Sequence, residues 1–179
     1  MKRLVAFLRG INVGGHIVKK EKLQEAFVSL GFQNVSTYKQ SGNVVFETNR
    51  DNIVEIQSEI EKRLCAMLGY EVVVFILSLP KLKSILEFEP FKSQENEEAS
   101  FLVTFLPRRP IDFPLILPCT IPKSTAKLIA IKDKEVYSVT HGGGEGALPN
   151  PFLESKLKTK TTTRNVNVIR ELLERYGQD

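Results

Sequence analysis

Leu4-Val5-Ala6-Phe7-Leu8-Arg9-Gly10-Ile11-Asn12-Val13-Gly14-Gly15 runs from an unbroken apolar segment into a loop with one Arg, one Asn and three glycines. Continuous apolar residues suit a strand buried on both faces, so Lys2 to Arg9 reads as a strand inside a sheet. The glycines that follow mark where the chain leaves the sheet and offers bare backbone N–H groups. Beyond this strand, Leu23, Phe27 and Leu30 recur at helical spacing and are closed by Gly31. Val35 to Gln40 and Asn43 to Glu47 read as two short strands joined around Ser41-Gly42. Asp51 or Asn52 then caps a helix whose apolar positions Ile53, Ile56, Ile60, Leu64 and Met67 step by three or four until Gly69. Glu71 to Leu77 is the fourth strand.

The resulting order, β-α-β-β-α-β, is the split βαβ unit of ferredoxin-like folds, here assigned to residues 1–78. Its two helices cover one sheet face. Along the first strand Leu4, Ala6 and Leu8 point one way and Val5, Phe7 and Arg9 the other, while the fourth is apolar at every step from Val72 to Leu77. Neither face suits water, so the second half of the chain or another protomer is expected to cover the remaining one.

Residues 79–179 read as a second α/β subdomain packed on the first to make one unit. Ser78-Leu79-Pro80 starts a helix with Leu82, Ile85 and Leu86 on its apolar side, and Ala99 to Leu106 is a strand. Pro107, Pro110, Pro114, Pro118 and Pro122 then forbid a long regular helix. Lys127 to Ile131 and Glu135 to Thr140 form a hairpin around Lys132-Asp133-Lys134. A glycine-rich loop follows at His141 to Gly146, then a helical piece from Pro151 to Leu157 and a final helix from about Arg164 to Tyr176. The halves share no sequence repeat, yet strand, broken connection, hairpin and helix resemble a degraded copy of the first unit. The fold class is therefore α/β (α+β), with two ferredoxin-like subdomains.

At 179 residues and 42% hydrophobic content the chain can bury a sizeable core. Its longest apolar run, Val72 to Leu77, is far short of a membrane span, and the N-terminus lacks a signal-peptide pattern. No membrane association and a cytoplasmic location are the expectation. The two cysteines, Cys65 and Cys119, have no CxxC or scaffold spacing and read as buried or incidental. A net charge of +4, from 25 bases and 21 acids, tolerates an anionic partner without demanding one. Lys156, Lys158, Lys160 and Arg164 concentrate positive charge, and Glu95, Glu97 and Glu98 read as a solvated acidic loop.

Several separated motifs, Leu8-Arg9-Gly10-Ile11-Asn12-Val13-Gly14-Gly15, Gln40-Ser41-Gly42-Asn43-Val44-Val45-Phe46, Ser155-Lys156-Leu157 and Thr162-Thr163-Arg164-Asn165, occur in an order that resembles the bacterial and archaeal family DUF1697. The resemblance implies two ferredoxin-like subdomains and implies no activity. Its last motif departs from the Thr-Arg-Asn-Trp-Asn-Thr of relatives, with Val166 where their Trp stands and Val168 in place of the final Thr.

The residues that read as ligand-binding are Arg9, Asn12, Gly14, Gly15, Gln40, Ser41, Asn43, Thr163, Arg164 and Asn165. Arg9 at a strand end, with glycine N–H groups beside it, suits a phosphate or carboxylate. The plainer reading is turn geometry and an ion pair. Gly10-x-x-x-Gly14-Gly15 is neither the dinucleotide fingerprint nor a P-loop. Gln40, Ser41 and Asn43 supply directional polar contacts, or only a hairpin turn. Thr162 or Thr163 reads as the cap of the last helix, a start that also favours an anion, with Arg164 adding charge. His141 stands beside a glycine loop, but with His16 far off in sequence neither a metal site nor a catalytic base is assigned, and no cofactor is expected. The leading function is binding of a small anionic or phosphorylated ligand in a pocket between the subdomains, with an enzyme of unassigned reaction as its extension. The alternatives are a nucleic-acid-binding module, whose only stacking candidates on the first and third strands are Phe7 and Phe46, and a structural or interaction protein without catalysis.

Overall fold

The computed structural model describes residues 1–11, 17–39, 42–91, 99–141 and 148–177. The chain divides into two compact units, Met1–Lys81 and Leu82–Asp179. The division falls inside a helix rather than at the 78/79 junction that the sequence suggests.

In the first unit β1 (Lys2–Arg9), α1 (Lys20–Val28), β2 (Gln33–Tyr38), β3 (Asn43–Thr48), α2 (Ile53–Leu68) and β4 (Val73–Ser78) follow the order read from the sequence. The strands form one antiparallel sheet in the order β2-β3-β1-β4, with Leu4 opposite Phe46 and Ser78. The apolar β1 lies in the interior of that sheet, as a strand buried on both faces should. On the helix side Leu4, Ala6, Leu8, Val44 and Phe46 join Phe27, Ile56, Ile60 and Leu64 in one core. Phe27, Phe32 and Phe46 meet there with centroids 4.6 to 6.1 Å apart, tilted to one another. On the other face Val5, Phe7 and Val45 are buried as well.

Caps delimit α2 as its sequence suggests. The Asn52 side chain accepts from the Glu55 N–H at 3.2 Å, and Gly69, left-handed at φ 79°, donates its N–H to the Cys65 carbonyl at 2.9 Å. Helix α1 ends earlier than its apolar spacing suggests: it stops at Val28, and Leu30 packs against the core from the turn closed by left-handed Gly31. Strand β2 starts two residues before the expected Val35, because left-handed Asn34 sits at a register shift that lets Gln33 pair with Glu47. Cys65, read as buried or incidental, is exposed on α2, and Cys119 is half-buried.

The β2–β3 turn depends on one glycine. Leu8 donates its N–H to the Gly42 carbonyl at 2.8 Å, and Gly42 has φ +69°. A Cβ there would lie 3.1 Å from the Leu8 Cβ and 3.3 Å from its carbonyl oxygen. Gly42→Ala is therefore expected to lower stability by about 1–2 kcal/mol, read as a shift in the urea midpoint. No change in midpoint would show that this turn relaxes without cost.

Glu47 is held by two neighbours on the sheet surface. It accepts from the Asn34 side chain at 2.6 Å and from Arg3, directly opposite on β1, at 2.7 and 2.8 Å. The Asn34 hydrogen bond first, and Arg3 second, hold its carboxyl below the ordinary range. A carboxyl depressed in the folded state stabilises above its unfolded pKa, about 4.3 for Glu, and that contribution fades as pH falls through the folded value. Thermal melts of the native chain and of Glu47→Gln should thus differ at pH 7 and converge at low pH. A gap independent of pH would contradict this.

The second unit takes in most of α3 (Leu79–Glu87), then β5 (Ala99–Phe105), β6 (Cys119–Thr120), β7 (Ala126–Lys132), β8 (Glu135–His141), α4 (Asn150–Leu157), β9 (Thr162–Asn165) and α5 (Val166–Tyr176). Its sheet has the order β6-β7-β8-β5-β9, all antiparallel. Leu106, Ile121, Ala126, Leu128, Val136 and Leu153 form a core joined by Phe113, Leu115 and Leu117 of the proline-rich stretch. That stretch is not helical, as its prolines require. The last helix differs from expectation. Thr162, Thr163 and Arg164 form a strand paired with Leu102–Phe105, and α5 starts only at Val166, capped by Asn165, whose side chain accepts from the Asn167 N–H at 2.8 Å. Neither Thr162 nor Thr163 is the cap, because the edge of β5 takes their backbone into a ladder.

Candidate functional site

In the first unit, the turn after β2, the beginning of β3 and the beginning of α1 surround an open cavity of about 490 Å³. Lys19, Lys20, Lys39, Thr37, Gly42 and Asn43 line it. Each is placed by local structure. Asn43 is 1% exposed and donates its side-chain amide to the Tyr38 carbonyl at 3.0 Å, closing the hairpin beneath the cavity. Lys39, left-handed at φ 53°, lies 5.5 Å from the Tyr38 ring centre. Lys19 is the N-cap of α1 in extended conformation, its carbonyl accepts from the Lys22 and Leu23 N–H groups, and its side chain makes no capping hydrogen bond among the described residues.

Three exposed ammonium groups and the positive end of a helix dipole therefore converge on one concavity. The one carboxylate among its described lining residues, Glu21, is also exposed, and its oxygen lies 3.9 Å from Lys20 Nζ, a weak surface pair. Chemically the arrangement suits an anion: a point charge from each lysine and the Thr37 hydroxyl for direction, over a turn that Asn43 holds closed.

Of the residues expected from the sequence, Asn43 lines this cavity. Asn12, Gly14, Gly15, Gln40 and Ser41 lie outside the described residues. Arg9 is half-buried at the end of β1, opposite Val73 and two residues beyond Phe7, whose β3 partner is Asn43. Arg9 and Asn43 thus share one end of the sheet and the face away from the helices, and Arg9 is not among the described residues that line the cavity. Sequence reasoning missed Lys19, Lys20, Lys39 and Thr37. The usable signal was Lys19-Lys20 standing where Ser, Thr, Asp or Asn would cap an amphipathic helix.

Thr163, Arg164 and Asn165 belong to the second unit. Thr163 Oγ1 lies 2.8 Å from Thr104 Oγ1 across the ladder. Arg164 is buried, donates to Thr162 Oγ1 and to the Thr163 carbonyl, each at 2.8 Å, and burial pulls its guanidinium down to about 10. Asn150 donates to Thr161 Oγ1 at 2.8 Å, and Glu154 accepts from the Thr161 N–H at 2.9 Å, fixing α4 to the approach of β9.

His141 is exposed at the end of β8, and the Gly142 to Gly146 loop lies outside the described residues, as do Glu95, Glu97 and Glu98. No cluster that could hold a metal occurs among the described residues. Lys156, Lys158 and Lys160 are exposed, and Lys156 joins Arg108 and Arg109 around a separate open cavity of about 460 Å³ whose lining has no buried polar side chain. No helix among the described residues is long and apolar enough to cross a membrane.

Comparison with known proteins adds a family and a fold. The family described as "Protein of unknown function (DUF1697)" matches residues 1–137. The conserved bacterial protein SP0830 from Streptococcus pneumoniae is similar in structure, with a TM-score of 0.67 at 20% identity over 99% of each chain. At that identity the likeness shows the fold alone. The comparison with curated proteins gives no match.

Proposed function

Since the chain belongs to the DUF1697 family, described only as of unknown function, we propose from its geometry that it binds a small anionic or phosphorylated ligand in the cavity at the start of α1. The observation that carries this reading is the convergence of Lys19, Lys20 and Lys39 on the start of α1, above the buried Asn43. Asn12, Gly14 and Gly15, in the segment from β1 to α1, and Gln40 and Ser41, between β2 and β3, belong to the same proposal, with Arg9 at the strand end adding charge. We assign Thr163, Arg164 and Asn165 to strand pairing, a buried hydrogen-bonded cation and a helix cap rather than to the ligand.

We also read both sheets as ferredoxin-like. The order β2-β3-β1-β4 recurs as β7-β8-β5-β9 when β5 takes the place of β1, with the proline-rich connection replacing the first helix. The nucleic-acid alternative loses its stacking residues, because Phe7 and Phe46 are both 0% exposed.

Thermal-shift titration with phosphorylated metabolites and nucleotides tests the ligand reading. A ligand-dependent rise in melting temperature is expected, with about tenfold weaker binding in Lys19→Ala/Lys39→Ala and a smaller weakening in Arg9→Ala. Equal shifts in all three proteins, or none in any, would overturn it.

A further inference from the structure

The second unit has a cavity of another character. About 240 Å³ in volume, it lies between the segment after α3, strands β5 and β8, and the start of α5. Phe91, Phe101, Tyr137 and Val166 form its walls. Phe91 lies 4.6 Å from Phe101 between ring centres at an interplanar angle of 31°, and 6.0 Å from Tyr137 at 63°. A dry cavity of roughly 150 Å³ already accepts benzene, so this space suits a somewhat larger planar ring. Offset and edge-on faces are available on two sides.

Two polar groups give the cavity chemical direction. Tyr137 is 1% exposed and lines the cavity. Burial, reinforced by Glu135 and Asp133, pushes the phenol above its ordinary range, so it keeps its proton as a donor at neutral pH. Arg170, in the lining, donates to the neutral Asn167 side chain at 2.7 Å and pairs with no carboxylate among the described residues. Glu89 also lines the cavity and disfavours a second negative group.

We propose that this cavity is a binding site for a small aromatic carboxylate. The ring lies against Phe91, Phe101 and Val166, a polar ring or carboxylate atom accepts from the Tyr137 hydroxyl, and the carboxylate pairs with the Arg170 guanidinium. The site is distinct from the cationic cavity of the first unit, so either reading stands or fails without the other.

The chain has no tryptophan, so anisotropy of indole fluorescence reports an added indole probe directly. Indole-3-acetate is expected to bind saturably, and neutral indole more weakly. Arg170→Gln, an exposed substitution, should weaken indole-3-acetate about tenfold while changing indole less than about twofold. Val166→Phe fills the cavity and should weaken both by more than about tenfold. Val166→Leu, a smaller addition, gives the same direction should the Phe variant fail to fold. Absence of saturable binding, or binding of both probes unchanged by the Val166 and Arg170 substitutions, overturns the proposal.

Discussion

Phe46→Ala is expected to destabilise the protein by about 3–5 kcal/mol. Phe46 is 0% exposed at the centre of β3, opposite Leu4 of β1, and its ring lies 5.3 Å from Phe27 and 4.6 Å from Phe32 between centres. Truncation removes the ring from a site bounded by a sheet on one side and α1 on the other. Neither wall can collapse without breaking the strand register that also positions Asn43. The lost burial and the cavity therefore both count, together with the tilted ring contacts, about 0.5–1.5 kcal/mol per pair. Urea unfolding followed by circular dichroism measures the effect. A loss below about 1 kcal/mol would show that the three-phenylalanine cluster does not hold the first unit together.

Arg164→Ala is expected to cost about 3 kcal/mol, although Arg164 had read as a ligand-binding residue. Its guanidinium is buried and donates to Thr162 and to the Thr163 carbonyl, and its stem fills the sheet face opposite Val103. Truncation leaves a buried hydroxyl and a part-buried carbonyl without this donor, and a cavity behind them. Arg164→Met, which keeps most of the stem, should recover part of the loss, since part of the cost is packing rather than charge. An arginine waiting for a ligand would behave differently: its removal would leave the unfolding midpoint of the ligand-free protein unchanged. Unfolding of the two variants without added ligand separates these roles.

How much was legible follows from how local each signal is. The β1 run, the three-or-four spacing of Ile56, Ile60 and Leu64, and the Asn52 and Gly69 caps are short-range features, and the structure matches them within a residue or two. Strand β9 was not legible as a strand. Thr162-Thr163-Arg164-Asn165 has the composition of a helix start, and only its pairing with Leu102–Phe105, distant in sequence, makes it a strand. The helix boundary moved with it, and the cap passed from Thr162 or Thr163 to Asn165.

The site was half legible for the same reason. The hairpin residue Asn43 was marked by turn chemistry. Lys19, Lys20 and Lys39 look like ordinary surface charge until the sheet places the β2–β3 turn beside the start of α1. The positive charge lining the cavity comes from lysines whose separate positions carried no motif.

An amide-resolved NMR titration with inorganic phosphate tests the cationic cavity most directly. The expected result is saturable, salt-sensitive shifts concentrated on Lys20, Glu21 and Lys22 in the first turn of α1 and on Lys39, Gly42 and Asn43 across the cavity. Shifts confined to Arg108, Arg109 and Lys156 to Lys160, or no saturable shift at any amide, would contradict it.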